Sequence, residues 1–157
     1  MQEFNTHLCS KPLILSGFPG IGKSTLVKQY PWILDSDSST FDKADFPQNY
    51  IEHIREVTSQ GKTILVSSHF AVRDALEEQG FDFALVYPGI KLKDEYMRRY
   101  RERGSPQNLI QLMDDNWDKF INQCEEQECM YKYVMRPNEY LADSWRLILR
   151  DIRTLQQ

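Results

Sequence analysis

The chain has 157 residues, a formal net charge of −4 at neutral pH, 41% hydrophobic and 27% charged residues, a balance that excludes disordered and fibrous classes and fits one domain able to bury a full core. No apolar run approaches the roughly eighteen residues of a membrane span, and the opening MQEFNTHLCSKP lacks the basic-then-apolar order of a secretion signal, so a cytoplasmic protein is expected. The acidic balance opposes a nucleic-acid partner, which normally meets a basic surface, although a local basic strip stays open.

In chain order, a strand is expected at Pro12 to Ser16, followed by the loop GFPGIGKST, Gly17 to Thr25, and a helix from Gly22 to Gln29. A glycine-rich turn between strand and helix can wrap its N–H groups around a polyphosphate while the helix presents its positive end to the same anion. This is the order of a P-loop. Gly17, Phe18, Pro19, Gly20, Ile21, Gly22, Lys23, Ser24 and Thr25 are the nucleotide-binding candidates, with Lys23 reaching the β- and γ-phosphates and Ser24 ligating Mg²⁺. Gly17, Gly20 and Gly22 leave no side chain in the way of the phosphates. ATP (or GTP) with Mg²⁺ is the expected cofactor set.

A second strand is expected at Ile33 to Ser36, and its ILDSDSS tip carries Asp35 and Asp37. Residues two apart at a strand's carboxyl end point to one side, so both carboxylates can face the crevice where α/β sheets bind ligands. Asp35 is the metal candidate, and Asp37 is the candidate to take a proton from an acceptor or to orient it. The same composition also suits a solvated turn. A helix follows at Gln48 to Ser59, then a strand at Thr63 to Ser67 whose tip, Ser67-Ser68-His69, lacks the usual metal-linked aspartate.

The next helix, Phe70 to Glu78, places Arg73 behind that tip, so Ser68, His69 and Arg73 join Asp37 as acceptor-binding candidates. His69 also has many structural uses. A strand at Phe83 to Tyr87 leads to LKDEYMRRYRERG, a helix at Leu92 to Arg103. Its inward stripe is Leu92, Tyr96 and Tyr100, with Arg99 and Arg103 beside it and Arg98 and Arg101 pointing away. Guanidinium groups at Arg99 and Arg103 would neutralise charge on a transferred phosphoryl group; a solvated helix paired with Asp94, Glu95 and Glu102 is the alternative.

Helices at Pro106 to Gln127 and Glu139 to Leu155 flank a last strand at Lys132 to Met135. Ser105 before Pro106, and Gly61 and Gly80 after their helices, read as boundary signals. Leu109, Met113, Trp117, Phe120, Ile121 and Cys124 form one core stripe; Leu141, Trp145, Ile148, Ile152 and Leu155 form another. Cys9, Cys124 and Cys129 are odd in number and unpaired in spacing, so reduced thiols are expected.

With these motifs in place the chain resembles the small P-loop kinases, the group of adenylate, shikimate and gluconate kinases, and compact nucleotide-kinase-like proteins of bacteria and phages. EYMRRYRERG is similar to the arginine helix that opens the adenylate kinase lid, DSD looks like the shikimate-type acids, and SSHFAVRDAL is similar to the gluconate kinase segment, with Arg73 the matching arginine. The resemblance implies a three-layer α/β fold, a five-stranded parallel sheet in the order 2-3-1-4-5 with helices on both faces, an acceptor region at about 38–60 and a short arginine helix at about 92–106. It implies catalytic roles for Lys23, Asp37, Arg99 and Arg103. After Gly104 the chain enters SPQNLIQLMDDNW directly, so a long lid is not expected. The resulting expectation is a phosphotransferase acting on a nucleoside monophosphate or similar small metabolite. A hydroxyl kinase, a nucleotide-binding switch and a polynucleotide end kinase are the alternatives.

Overall fold

Short apolar runs separated by helix-period segments become a parallel sheet because each strand must cross back over a helix before pairing with the next. The structure, a computed structural model, describes residues 12–156; His7, Cys9 and the opening segment lie outside the described residues. Five strands, β1 (Ile14–Gly17), β2 (Leu34–Asp35), β3 (Ile64–Ser67), β4 (Ala84–Pro88) and β5 (Tyr131–Met135), form one sheet in the order β2-β3-β1-β4-β5. All four pairings are parallel, with Ile14 opposite Ile64, Leu15 opposite Ala84, Leu34 opposite Ile64 and Ala84 opposite Tyr131.

The helices are α1 (Lys23–Gln29), α2 (Gln48–Ser59), α3 (Phe70–Glu78), α4 (Lys93–Glu102), α5 (Gln107–Glu126) and α6 (Leu141–Leu155), with 3₁₀ turns at Ser38–Thr40 and Ile90–Leu92. Every residue of β1 and β4 is buried. Consecutive strand residues face opposite sides, so the centre of the sheet is covered on both faces. Edge strand β2 is exposed along its two residues.

Boundaries moved where local chemistry overrode pattern. Pro12 has no N–H to give, and the ladder of β1 begins at Ile14, with Leu13 contributing only its N–H to Thr63 Oγ1 and its carbonyl to Ile64 N. Pro106, expected at the first helical position, instead occupies the cap of α5 with ψ 144°, and the Ser105 hydroxyl accepts from Arg103 Nε rather than capping. The last helix begins at Leu141 rather than Glu139, because Tyr140 is extended at φ −118° and ψ 160° and caps it, its N–H donating to Asp143 Oδ2, while the Glu139 carboxylate accepts from Tyr133 Oη and from the Arg136 N–H and guanidinium. Gly61 and Gly80 close α2 and α3 at φ 78° and 77°. In α6 the stripe Leu141, Trp145, Ile148 and Ile152 is buried as expected, but Leu155 in the final turn is 57% exposed.

Cys124 lies in the core, where burial pushes its thiol up to about 11. The same helix carries Trp117, whose indole Nε1 donates to Ile90 O at 2.8 Å and whose ring meets Phe18 and Tyr96 at 5.5 and 5.7 Å between centroids. Phe18 belongs to the glycine loop, so the core of α5 fixes the floor of that loop. Trp117→Ala is expected to lower the unfolding free energy by about 3–5 kcal/mol, through lost burial and the cavity left behind, as read from urea denaturation.

Candidate functional site

The glycine loop after β1 is held from outside by its carbonyls. Tyr100 Oη donates to Pro19 O at 2.8 Å, Arg99 to Gly20 O at 2.8 Å, and Leu141 N, at the start of α6, to Ile21 O at 2.7 Å. In a trans peptide the carbonyl and the following N–H point in opposite directions. Fixing these three carbonyls toward α4 and α6 therefore turns the Gly20, Ile21 and Gly22 amides the other way. Ile21 N bonds to Phe18 O at 3.3 Å, whereas the N–H groups of Gly20, Gly22 and Lys23 have no hydrogen-bond acceptor among the described residues. Gly20 and Gly22 adopt φ 93° and 100°, and a Cβ on Gly20 would come within 2.9 Å of the Tyr100 ring, so both conformation and space require glycine.

Phe18 and Ile21 are buried, so they contribute backbone to the loop while their side chains anchor it. Lys23 folds under the turn, its Nζ donating to Gly17 O at 2.7 Å. The residue keeps part of its surface, but its amino group lies deep, and burial lowers its pKa to about 8 against the attraction of Asp35; Arg103 pushes the same way as burial. Ser24 and Thr25 are exposed at the loop's exit.

All strands run parallel, so the tips of β2 and β3 reach the same edge as this loop. Together they enclose a cavity of about 780 Å³ lined by Gly17, Gly20, Gly22, Lys23, Ser24, Thr25, Asp35 to Ser38, Ser67, Ser68, Arg99 and Arg103. Burial raises the Asp35 carboxyl above the usual range, opposed by Lys23 and reinforced by Asp37. Asp35 is nevertheless exposed by area, which keeps any contribution to stability small. One oxygen of Asp37 accepts from Ser39 N at 2.9 Å, and the other carries no hydrogen bond among the described residues.

Arg99 in α4 and Arg103 at its C-cap part company. Arg99, 6% exposed, is sandwiched between the rings of Tyr140 and Tyr96 at 3.9 and 4.4 Å and donates to Gly20 O, Glu139 O and Glu95. Its guanidinium borders the cavity but is occupied in bracing the loop. Arg103 is exposed, bonds Ser105 through Nε and leaves its terminal nitrogens without partners among the described residues. Arg98 and Arg101 face solvent, as the helical spacing predicts.

Two acceptor-binding candidates lie outside the lining. His69 caps α3, its Nδ1 accepting from Ala71 N at 3.1 Å. Arg73, 2% exposed, turns back into the protein, where it donates to Ser68 O, Gln127 Oε1 and Gln123 O. The residues that spacing did not reveal are Glu102, Leu109 and Tyr140, which line the cavity, and Tyr50, which organises it. Tyr50 Oη donates to Ser36 O at 2.6 Å and accepts from Ser67 N at 3.1 Å, joining the two strand tips, and burial pushes its phenol up to about 12. In sequence Tyr50 is only an apolar-face residue of α2; its bridge exists only after folding.

Comparison with known proteins bears on the fold alone. No family model matches the chain, and no curated protein matches it. A crystal structure of an uncharacterized protein from Eubacterium ventriosum ATCC 27560 is similar, with 14% sequence identity, a TM-score of 0.52, and alignment over 92% of this chain and 99% of that one. Identity this low speaks to the fold alone. None of the described helices is long and apolar enough to cross a membrane.

Tyr50→Phe is expected to cost about 1–3 kcal/mol of stability in urea unfolding, since it keeps the ring but strands a buried carbonyl and an N–H. Arg99→Ala is expected to cost about 3–5 kcal/mol, because it leaves two carbonyls without their side-chain donor and the half-buried Glu95 carboxylate without its counter-charge, with only the Asn138 N–H remaining on it. Hydrogen exchange should then be faster than in the wild type at Ile21, whose N–H bonds Phe18 O, and at Leu141, whose N–H bonds Ile21 O.

Proposed function

We propose that this chain is an ATP- and Mg²⁺-dependent phosphotransferase of the three-layer P-loop type, with GTP as the other admissible donor. The observation that carries the reading is the inward set of amides at Gly20, Gly22 and Lys23, without acceptors among the described residues, above the half-buried Lys23 side chain and facing two carboxylates across one cavity. Amides and ammonium converging without an internal acceptor are suited to polyphosphate oxygens, which accept several charge-assisted hydrogen bonds at once. A volume of about 780 Å³ is of the size that takes a small ligand pair.

The donor set also fits Mg²⁺, which prefers hard oxygen ligands and keeps several waters. Ser24 and Asp35 both line the cavity, and the neighbouring charge of Asp37 makes a cation between them favourable. When bound, that ion would neutralise phosphate charge and help align the transferred group. The chain's own part is positioning: the loop amides fix the β- and γ-phosphates, Lys23 leaves Gly17 O for a phosphate oxygen, and Arg103 brings toward the same charge two terminal nitrogens that have no partner among the described residues. Arg99 acts at one remove, by holding the loop that carries the amides.

Two acceptor classes fit a crevice of this size, a nucleoside monophosphate and a hydroxylated metabolite. They differ in what they require of the strand tips: the first needs a cation for its phosphate, the second a base for its hydroxyl. A coupled ADP-release assay with isothermal titration calorimetry tests the phosphotransferase reading itself. Lys23→Ala should weaken MgATP binding by about 10- to 150-fold, the worth of a hydrogen bond to a charged group.

The lowered Lys23 pKa adds a pH signature. In the free protein Lys23 loses its proton as pH rises through about 8, and phosphate binding restores the charge, so affinity should fall above pH 8. Binding near pH 8.5 should take up protons, seen as a buffer-dependent heat that Lys23→Ala abolishes. Wild-type protein that binds no MgATP would remove the proposal.

A further inference from the structure

The segment that joins β5 to α6 reaches the cavity at Tyr140, and it has no main-chain donor left to offer there. Arg136 N–H goes to Glu139 Oε1, Asn138 N–H to both oxygens of Glu95, and Glu139 N–H to Arg136 O. Tyr140 N–H goes to Asp143 Oδ2 and Leu141 N–H to Ile21 O. Residue 137 is a proline and carries no N–H. The only carbonyls of residues 136–139 without a hydrogen bond among the described residues are those of Pro137 and Asn138.

Tyr140 itself is 44% exposed. The Arg99 guanidinium stands 3.9 Å from its ring centroid, and that guanidinium is held by Glu95, Gly20 O and Glu139 O, so the ring has a fixed backing. The ring also lies against the glycine loop: a Cβ on Gly22 would come within 3.2 Å of Tyr140 Cδ1. No other ring or guanidinium stacks on it among the described residues. A flat aromatic surface, braced from behind and half open beside a loop suited to phosphate, matches the face of a nucleobase.

We infer that the base of the donor nucleotide is held by stacking on Tyr140 and is not read at its edge, so that the site takes adenine and guanine triphosphates alike. The inference rests on the phosphotransferase reading and fixes its donor range. Adenine accepts at N1 where guanine donates, and guanine accepts at O6 where adenine donates from its amino group. Telling them apart at the accepting positions takes a protein donor, and the N–H groups of residues 136–141 are all engaged within the fold. The carbonyls of Pro137 and Asn138 are acceptors, and each purine carries an amino group that can donate to them.

The side chains nearby do not restore selectivity. Glu102 lines the cavity and its carboxylate would suit guanine, but it is 70% exposed and 3.7 Å from Arg98 Nε, so water and that arginine compete for it. Leu109 lines the cavity and has no polar atom in its side chain. Both faces of Arg99 are covered, by Tyr140 and by Tyr96. Stacking is indifferent to the pattern of donors and acceptors, because every base has a π-face.

The test is calorimetry on the full chain with MgATP, with MgGTP and, as a probe without a base, with magnesium tripolyphosphate. In the wild type the two nucleotides are expected to bind within about tenfold of each other, against the roughly 10⁴-fold that a site built on edge hydrogen bonds can reach. Tyr140→Ala is expected to weaken both nucleotides by about 5- to 150-fold, the worth of one stacked base. Tripolyphosphate should change by less than about threefold in the same variant, since the loop amides that hold it are untouched. Tyr140→Phe, which keeps the ring, should bind all three as the wild type does.

A purine preference above about tenfold in the wild type reveals an edge contact and overturns the inference, a comparison that needs no variant to fold. Equal weakening of tripolyphosphate and nucleotides in Tyr140→Ala overturns it too, because the ring would then serve only to brace Arg99 and the loop. Unchanged nucleotide affinity in that variant does the same. Each of these results leaves the phosphotransferase reading standing, since nucleotide still binds. A wild-type chain that binds neither nucleotide removes both.

Discussion

Everything at the carboxyl edge of the sheet depends on three consecutive carbonyls being held away from the cavity. Pro19, Gly20 and Ile21 give their oxygens to Tyr100, Arg99 and the first amide of α6. Peptide planarity then leaves no choice about where the intervening N–H groups point. Amides that face a cavity forgo an internal acceptor, and the bonds that α4 and α6 make to the opposite side of each peptide hold them there. Arg99 is central because one planar guanidinium reaches Gly20 O, Glu139 O and Glu95 together, and Glu95 in turn accepts the Asn138 amide. Lysine, a point charge with no fork, has no equivalent geometry.

That bracing also explains how the cavity comes to have two unlike halves. Elements following β4 and β5 supply aromatic and cationic groups next to the loop, while the tips of β2 and β3 supply carboxylates and hydroxyls. The two halves meet at Lys23, whose ammonium is attracted by Asp35 and repelled by Arg103. Tyr50 does for the acidic half what Arg99 does for the loop, tying Ser36 to Ser67 through a single oxygen that both donates and accepts. A ring of aromatic contacts among Phe41, Phe46, Tyr50 and His53 packs the connecting segment over it.

Much of this was legible in the residues. Strands buried on both faces read as plain apolar runs, so a mostly parallel sheet followed from LILSG, TILVS and ALVYP lying between amphipathic helices, while its strand order came only from the family resemblance. The glycine loop and the Asp35-x-Asp37 tip were visible because backbone conformation and strand alternation are local properties. What spacing misjudged was where long side chains end. Arg73 and Arg99 sit on the faces their helical positions dictate, yet Arg73 finds Gln127 across the fold and Arg99 finds the back of the loop. Helical spacing marks Glu95 as a partner of Arg99, but the remaining acceptors are backbone oxygens and a glutamine that no periodicity marks. Tyr50, Tyr140 and Leu109 were hidden for the same reason, since an aromatic or leucine on an amphipathic helix looks alike whether it meets the core or a cavity.

The brevity of β2 carries a last consequence. A two-residue strand at the border of a sheet gives a passing polypeptide almost no ladder to extend, which guards an otherwise exposed margin bearing Leu34 and Trp32 against edge-to-edge aggregation. The same shortness means that few main-chain bonds fasten the acidic tip to its neighbour. Protection from unwanted self-assembly and precision of the carboxylates thus pull in opposite directions here, and one phenol oxygen reconciles them.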